Sequence, residues 1–321
     1  MVKNVLFFSD FGVDDNVAII YSYFDEEINL VGVVADYGNV SKQDAVRNAA
    51  YIQQITGIKD IPVFGGAELP LTGESPQFYP EVHGLEGFGP IIPNMEITDL
   101  FENFEGIKTL IEKFKNDIII VNVGRLSSLA TAFILFPTTM KHVKEFYIMG
   151  GAYSTPGNVT PVAEANFYGD PYAANIVINF APKKLHIIPL DVTNSAIITP
   201  ALVDKLNNHY VATNSAVGLL VKPMVDYYYK FYKSLNPKIS GSPLHDVLTL
   251  WAVTENANIS YVEAPTKIIV NTGSAFGQSI ADFRETTTKV NWPIHKISLS
   301  FDYQSFIHDF YKSMINNQKT P

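Results

Sequence analysis

The sequence predicts an α/β protein, a single domain built on a Rossmann-like, mostly parallel central sheet flanked by helices. Three observations lead there. Short apolar runs such as residues 5–8 are continuous rather than alternating, as in parallel strands covered on both faces. These runs alternate with stretches of helical period, the pattern of βα units. Polar side chains gather just after the apolar runs, at the strand ends where open α/β sheets bind ligands.

Taken in order, residues 5–8 read as a buried first strand, residues 9–13 as a turn, and Asp14-Asp15-Asn16 as the start of a helix with Val17, Ile20 and Tyr21 on its apolar face. Residues 30–35 form a second strand, 41–55 a helix and 61–64 a third strand entering Gly65-Gly66. Residues 68–96 are rich in Gly and Pro with little periodicity, which predicts a long functional loop or flap. Alternation then resumes: helix 104–115, strand 118–123, helix 127–135, strand 146–149 ending in Gly150-Gly151, helix 171–178 and strand 185–190. Residues 200–258 are mostly helical, with a second flap expected over about 222–243, and β character returns from 260. No repeat, low-complexity tract or linker divides the chain, so one domain over 1–321 is expected.

Composition narrows the function. Apolar residues make up 47% and charged residues 17%, enough for a sizeable core. A net charge of −9 does not suit nucleic-acid binding, which needs surplus Lys and Arg to displace counterions. Without cysteine there is no disulfide, thiolate zinc site or thiol nucleophile. No uncharged stretch is long enough for a membrane span, and the apolar run at the N-terminus is too short for a secretion signal, so a cytoplasmic protein without membrane partners is expected.

Asp10, Asp14 and Asp15 follow the first strand within six residues. Three carboxylates that close repel unless a positive dipole or a cation compensates. Two readings stay open: helix capping by Asp14 and Asp15, and a hard cation taking several oxygen ligands. Gly38-Asn39 after the second strand is turn chemistry on its own. His245-Asp246 precedes an apolar helix; Asp246 reads alone as an N-cap and His245 as a structural histidine, or together as a proton donor beside a metal. Between Gly150 and Asp170 lies a dense polar loop in which Glu164 and Asn166 offer groups suited to sugar hydroxyls, whereas Asp170-Pro171 reads as a cap with Pro at the first helical position. Tyr227, Tyr228, Tyr229 and Tyr232 read mainly as amphipathic-helix residues, and Trp251 as core.

As an ordered series these segments resemble the inosine-uridine-preferring nucleoside hydrolase family from Val5 to about Arg284. The family signature Asp-x-Asp-Pro-Gly-x-Asp-Asp is matched by Phe8-Ser9-Asp10-Phe11-Gly12-Val13-Asp14-Asp15. Gly38-Asn39-Val40, His83-Gly84, Val123-Gly124-Arg125-Leu126-Ser127, Met149-Gly150-Gly151, Gly157-Asn158, Glu164-Ala165-Asn166, Asp191-Val192-Thr193 and His245-Asp246 continue it. The resemblance implies the nucleoside hydrolase fold and cleavage of a ribonucleoside's N-glycosidic bond by water. It further implies a Ca2+ held by Asp10, Asp15, Asp246 and the backbone carbonyl of Val123, with Asp10 as general base and His245 as acid. Asp14, Asn39, His83, Asn158, Glu164 and Asn166 would contact the substrate, with His83 and one of the tyrosines on the base side. Inosine and uridine are the expected substrates, and a homodimer or homotetramer the expected assembly.

Two departures matter: Phe8 stands where the signature has its first Asp, and Phe11 where it has Pro. The missing Asp is expected to orient the metal ligands from behind, and loss of such a group lowers metal affinity or activity roughly 10–100-fold. Ala165, where an aromatic residue is common, leaves the 5′ end of the sugar less enclosed. The departures motivate an alternative, a catalytically weakened nucleoside- or ribose-binding protein on the same fold. An aspartate-nucleophile phosphatase is disfavoured, because Asp10 lacks a second Asp two residues on.

Overall fold

In the computed structural model, which describes residues 1–58, 60–95, 102–285 and 290–316, the apolar runs become the strands of one sheet. The first half of the chain contributes β1 (Lys3–Ser9), α1 (Val13–Phe24), β2 (Ile28–Ala35), α2 (Lys42–Thr56) and β3 (Val63–Gly65). After the helical turn α3 (Pro80–His83) come α4 (Phe104–Lys113), β4 (Ile118–Asn122), α5 (Ser127–Leu135), α6 (Pro137–Met140) and β5 (Glu145–Met149). The turn α7 (Ala165–Gly169), α8 (Pro171–Phe180), β6 (His186–Ile188) and the turn α9 (Leu190–Thr193) follow. The remainder comprises β7 (Ile197–Ile198), α10 (Pro200–Thr213), α11 (Val221–Leu235), β8 (Ser242–Pro243), α12 (His245–Trp251), β9 (Ile259–Ile268), β10 (Ser279–Ala281), β11 (Ile294–Phe301) and α13 (Tyr303–Met314).

Among the described residues nine strands form a sheet in the order β10-β9-β11-β6-β5-β4-β1-β2-β3. Only β9 runs against the direction of the other eight strands in that sheet. The run β3-β2-β1-β4-β5-β6 is the doubly wound order, in which the connection reverses direction between β1 and β4. The loops that leave those two strands part there and open a crevice. Two apolar layers cover the faces: Val5, Phe7, Val33 and Val121 pack with α1, α12 and α13, and Leu6, Phe8, Val34 and Ile120 pack with α4, α5 and α8. No helix among the described residues is long and apolar enough to cross a membrane.

Differences from the sequence reading are local. Pro62 has no amide hydrogen to give a ladder, and β3 starts after it, at Val63. The strand expected over 185–190 stops at Ile188, because Pro189 caps the turn α9. The loop 68–96 contains α3, and residue 96 lies outside the described residues. The helical character expected over 200–258 does hold at residues 222–243, which are largely α11. Asp170 does cap α8, accepting from the Ala173 amide at 3.0 Å with Pro171 at the first position. Trp251 is fully buried against Phe301 and Phe306, with its indole N–H on Asp309.

Phe8 is fully buried in the layer with Leu6, Val34 and Ile120. Truncating an aromatic ring at such a position removes its burial and leaves a cavity. Phe8→Ala should therefore lower stability by about 3–5 kcal/mol, read as a shift in the urea unfolding midpoint at unchanged slope.

Candidate active site

The crevice between β1 and β4 collects carboxylates. Asp10 leaves the end of β1, Asp14 and Asp15 occupy the first turn of α1, and Asp246 the first turn of α12. All four are buried. Oxygens of Asp14, Asp15 and Asp246 lie within 4.8 Å of one another. Burial is the main force pushing all four carboxyls above the ordinary carboxylate range. Repulsion adds to it, from Asp15 on Asp10 and Asp14, and from Asp14 first on Asp246.

Local hydrogen bonds set each aspartate. Ser9 Oγ donates to Asp15 Oδ1 at 2.8 Å, and the Gly12 amide to Asp15 Oδ2 at 2.9 Å, closing the N-terminal turn of α1. Asp10 accepts from the Asn39 amide (2.9 Å), the Asn39 side chain (2.9 Å) and Arg125 Nη1 (3.1 Å). Gly38 is required beside it, since a Cβ there would stand 2.0 Å from Asp10 Oδ2. Between Asp10 and α1 the chain turns through Phe11 at φ +53°, a left-handed conformation that strains a bulky residue by about 1–3 kcal/mol. Asn16 Nδ2 holds that turn by donating to the Phe11 carbonyl at 3.1 Å.

A cavity of about 290 Å³ opens above the carboxylates, at the lower end of the size range of small-molecule sites. Asp14, Val123, Glu164, Asn166 and Asp246 line it together with His83, Tyr228, Phe231, Tyr232 and His245, and His83 Nδ1 lies 3.9 Å from Asp14 Oδ1. The Val123 carbonyl accepts from Asn166 Nδ2 at 2.7 Å. Asn166 Oδ1 in turn accepts from Arg125 at 2.6 Å. Glu164 caps α7, its carboxylate taking the amides of Gly151, Asn166 and Phe167 at 2.8–3.1 Å. Asn158 stands exposed at the rim and accepts from the Ala165 amide at 2.9 Å. Asp191 secures the loop above by accepting from the amides of Tyr153, Ser154 and Thr155.

Two histidines, His83 and His245, line the same cavity. His83 Nδ1 accepts from the Val13 amide at 3.0 Å, and its ring lies 5.5 Å from that of Tyr228. Burial, helped by Arg125 and His245, pushes His83 down to about 3. His245 bridges Thr193 Oγ1 (2.7 Å, at Nδ1) and the Tyr232 hydroxyl (2.9 Å, at Nε2), and burial lowers it to about 4, so both imidazoles are neutral near pH 7. The short β7–β8 pair brings residue 193 to residue 245.

The fold thus gathers Asp10, Asp14, Asp15, Asn39, His83, Val123, Glu164, Asn166, His245 and Asp246 around one crevice, with Asn158 at its edge. Asn39 lines the cavity and at the same time donates its side-chain amide to Asp10. Sequence reasoning gave no role to Ser9, Arg125 or Thr193. Arg125 carried a signal in being a lone cation just past a strand end in an acidic chain; the two hydroxyls carried none. Buried carboxylates, all hard oxygen donors with one guanidinium to offset them, fit a divalent cation. A cation at 100 times its dissociation constant should stabilise the fold by about 2.7 kcal/mol, seen as a raised thermal midpoint. Asp246→Asn should lose most of that rise.

Comparison with known proteins agrees with this architecture. Residues 5–308 match the family model described as inosine-uridine preferring nucleoside hydrolase. The chain is 29% identical over 313 residues to the inosine-uridine preferring nucleoside hydrolase of Crithidia fasciculata, covering 95% of each. It is also 28% identical to the pyrimidine-specific ribonucleoside hydrolase RihB of Escherichia coli, covering 87% of each. Among solved structures, a plant nucleoside hydrolase, the PpNRh1 enzyme, superposes with a TM-score of 0.90 at 25% identity, covering 99% of this chain and 100% of that one. A purine-preferring ribonucleoside hydrolase from Gardnerella vaginalis does so with a TM-score of 0.87 at 25% identity, covering 98% of each.

Proposed function

The chain belongs to the inosine-uridine preferring nucleoside hydrolase family, enzymes acting on N-glycosyl compounds, and on that premise we propose that it cleaves purine and pyrimidine ribonucleosides, inosine and uridine among them, with Asp10 as general base and Ca2+ as its resident cation. The single observation that carries the reading is the convergence of Asp10, Asp14, Asp15 and Asp246 at a cavity that His83, Tyr228, Tyr232 and His245 also line.

Asp15, Asp246, Asp10 and the Val123 carbonyl would hold the cation, and Asp14 is close enough to share in it. When bound, Ca2+ supplies acidification of a water and a grip on vicinal sugar hydroxyls. Asp10 takes the water's proton; the Asn39 and Arg125 donors fix the orientation of its carboxylate. As the C–N bond breaks, positive charge grows on the ribosyl ring, and the carboxylates beneath it are already in place to stabilise that charge. Asn166 and Glu164 position the sugar hydroxyls, and Asn158 closes the rim.

The departing nucleobase takes up a proton. His245 is neutral at rest, so it takes up a proton before it acts as the acid. The imidazolium, hydrogen-bonded to Thr193 and Tyr232, gives its Nε2 proton to the Tyr232 hydroxyl, which passes its own proton to the base, and His245 returns to the neutral imidazole. Segments 68–96 and about 222–243 would act as flaps of one domain over 1–321. A cytoplasmic homodimer or homotetramer completes the proposal, supported by the family likeness alone.

The test is ribose release from inosine and uridine, with and without a calcium chelator. Turnover should disappear with chelation, and Asp10→Ala should remove it. His245→Ala should slow inosine by about 10²–10⁴-fold, the span of general acid–base catalysis, yet barely slow a p-nitrophenyl riboside, whose leaving group needs no proton. Tight nucleoside binding without ribose release would instead select the weakened binder that Phe8 suggests.

A further inference from the structure

Among the described residues Arg125 is the only buried lysine or arginine, and a guanidinium taken out of water is costly unless partners replace its hydration. Its partners are therefore informative. Nη1 is shared between Asp10 Oδ2 at 3.1 Å and Asn166 Oδ1 at 2.6 Å, so a single nitrogen ties the end of β1 to the turn α7. The Tyr79 ring lies 5.9 Å from Cζ. The fold leaves a slot for the side chain: a Cβ on Gly169 would stand 2.3 Å from Nε. Arg125 also lines both the site cavity and an adjoining one of about 630 Å³, with Gln77 and Tyr79 shared between the two.

A cation placed there has two consequences of opposite sign. It fixes the carboxylate of Asp10 and the amide of Asn166 relative to each other. It also repels any second cation drawn to Asp14, Asp15 and Asp246. We propose that Arg125 is a positioning residue that clamps Asp10 to Asn166 and, as a resident positive charge, holds the affinity for the divalent cation below what the carboxylates alone would give. The kinetic consequence rests on the functional reading above; the effect on cation affinity does not.

Calcium titration calorimetry on the wild type, Arg125→Gln and Arg125→Lys tests the charge. Arg125→Gln should bind Ca2+ about tenfold more tightly or better, and Arg125→Lys, which keeps the charge, should stay close to the wild type. Steady-state kinetics test the clamp. Arg125→Ala should lose about 10–100-fold in kcat, the scale for groups that orient ligands, with a smaller change in KM. Added guanidinium ion, reaching the vacated slot through the adjoining cavity, should restore part of that rate. A natively folded Arg125→Gln that binds Ca2+ no more tightly than the wild type overturns the proposal, and so does an Arg125→Ala that guanidinium cannot rescue. Should Arg125→Gln and Arg125→Ala both fail to fold, Arg125→Lys must lose rate without gaining calcium affinity, and an unchanged rate overturns the clamp. A wild type that hydrolyses no nucleoside sinks the functional reading, while calorimetry still judges the charge.

Discussion

Asp10, Asp14, Asp15 and Asp246 are brought out of water at the reversal point of a parallel sheet, where nothing in the backbone fully offsets their mutual repulsion. The amide of Gly12 and the first turn of α1 meet part of the charge, as a helix N-terminus does, worth roughly 0.3–1 kcal/mol per group. The remainder falls to Asn39, Ser9 and Arg125, and to whatever cation the cluster takes up. Much nearby geometry follows from that constraint. Gly38 lacks a Cβ because Asp10 needs the space. Phe11 adopts its strained turn so that Asp10 and α1 can lie side by side.

The sheet was legible because buried parallel strands announce themselves as unbroken apolar runs, and residues 5–8, 118–123 and 146–149 are of that kind. Where strands met proline the reading slipped by a few residues, since a missing amide hydrogen ends a ladder whatever the neighbouring apolar residues favour. The carboxylates were legible too, because they stand directly after strands. Family likeness was needed to join Asp246 to the cluster, for nothing local says that position 246 lies near position 15.

Less could be read of the hydrogen-bond partners. Ser9 and Thr193 are ordinary hydroxyls until the fold sets them against Asp15 and His245. That Asn39, read as a sugar contact, also donates to Asp10 from the cavity wall is a contact only the fold reveals. The neutrality of His245 depends on burial, which a sequence states only indirectly. Phe8 was judged by the Asp it replaces; in the structure it belongs to an apolar layer with Leu6 and Ile120, and its chemistry there is that of packing.

The two walls of the crevice have different origins. The floor is assembled from β1, β4, α1 and α12, so moving any part of it disturbs the sheet or the elements packed on it. Much of the rest of the lining comes from one helix: Tyr228, Phe231, Tyr232 and Leu235 all sit on α11. Side chains on a single helical face can be exchanged without altering strand register. The architecture therefore sets a carboxylate side locked to the scaffold beside a helical face whose side chains the sheet does not constrain.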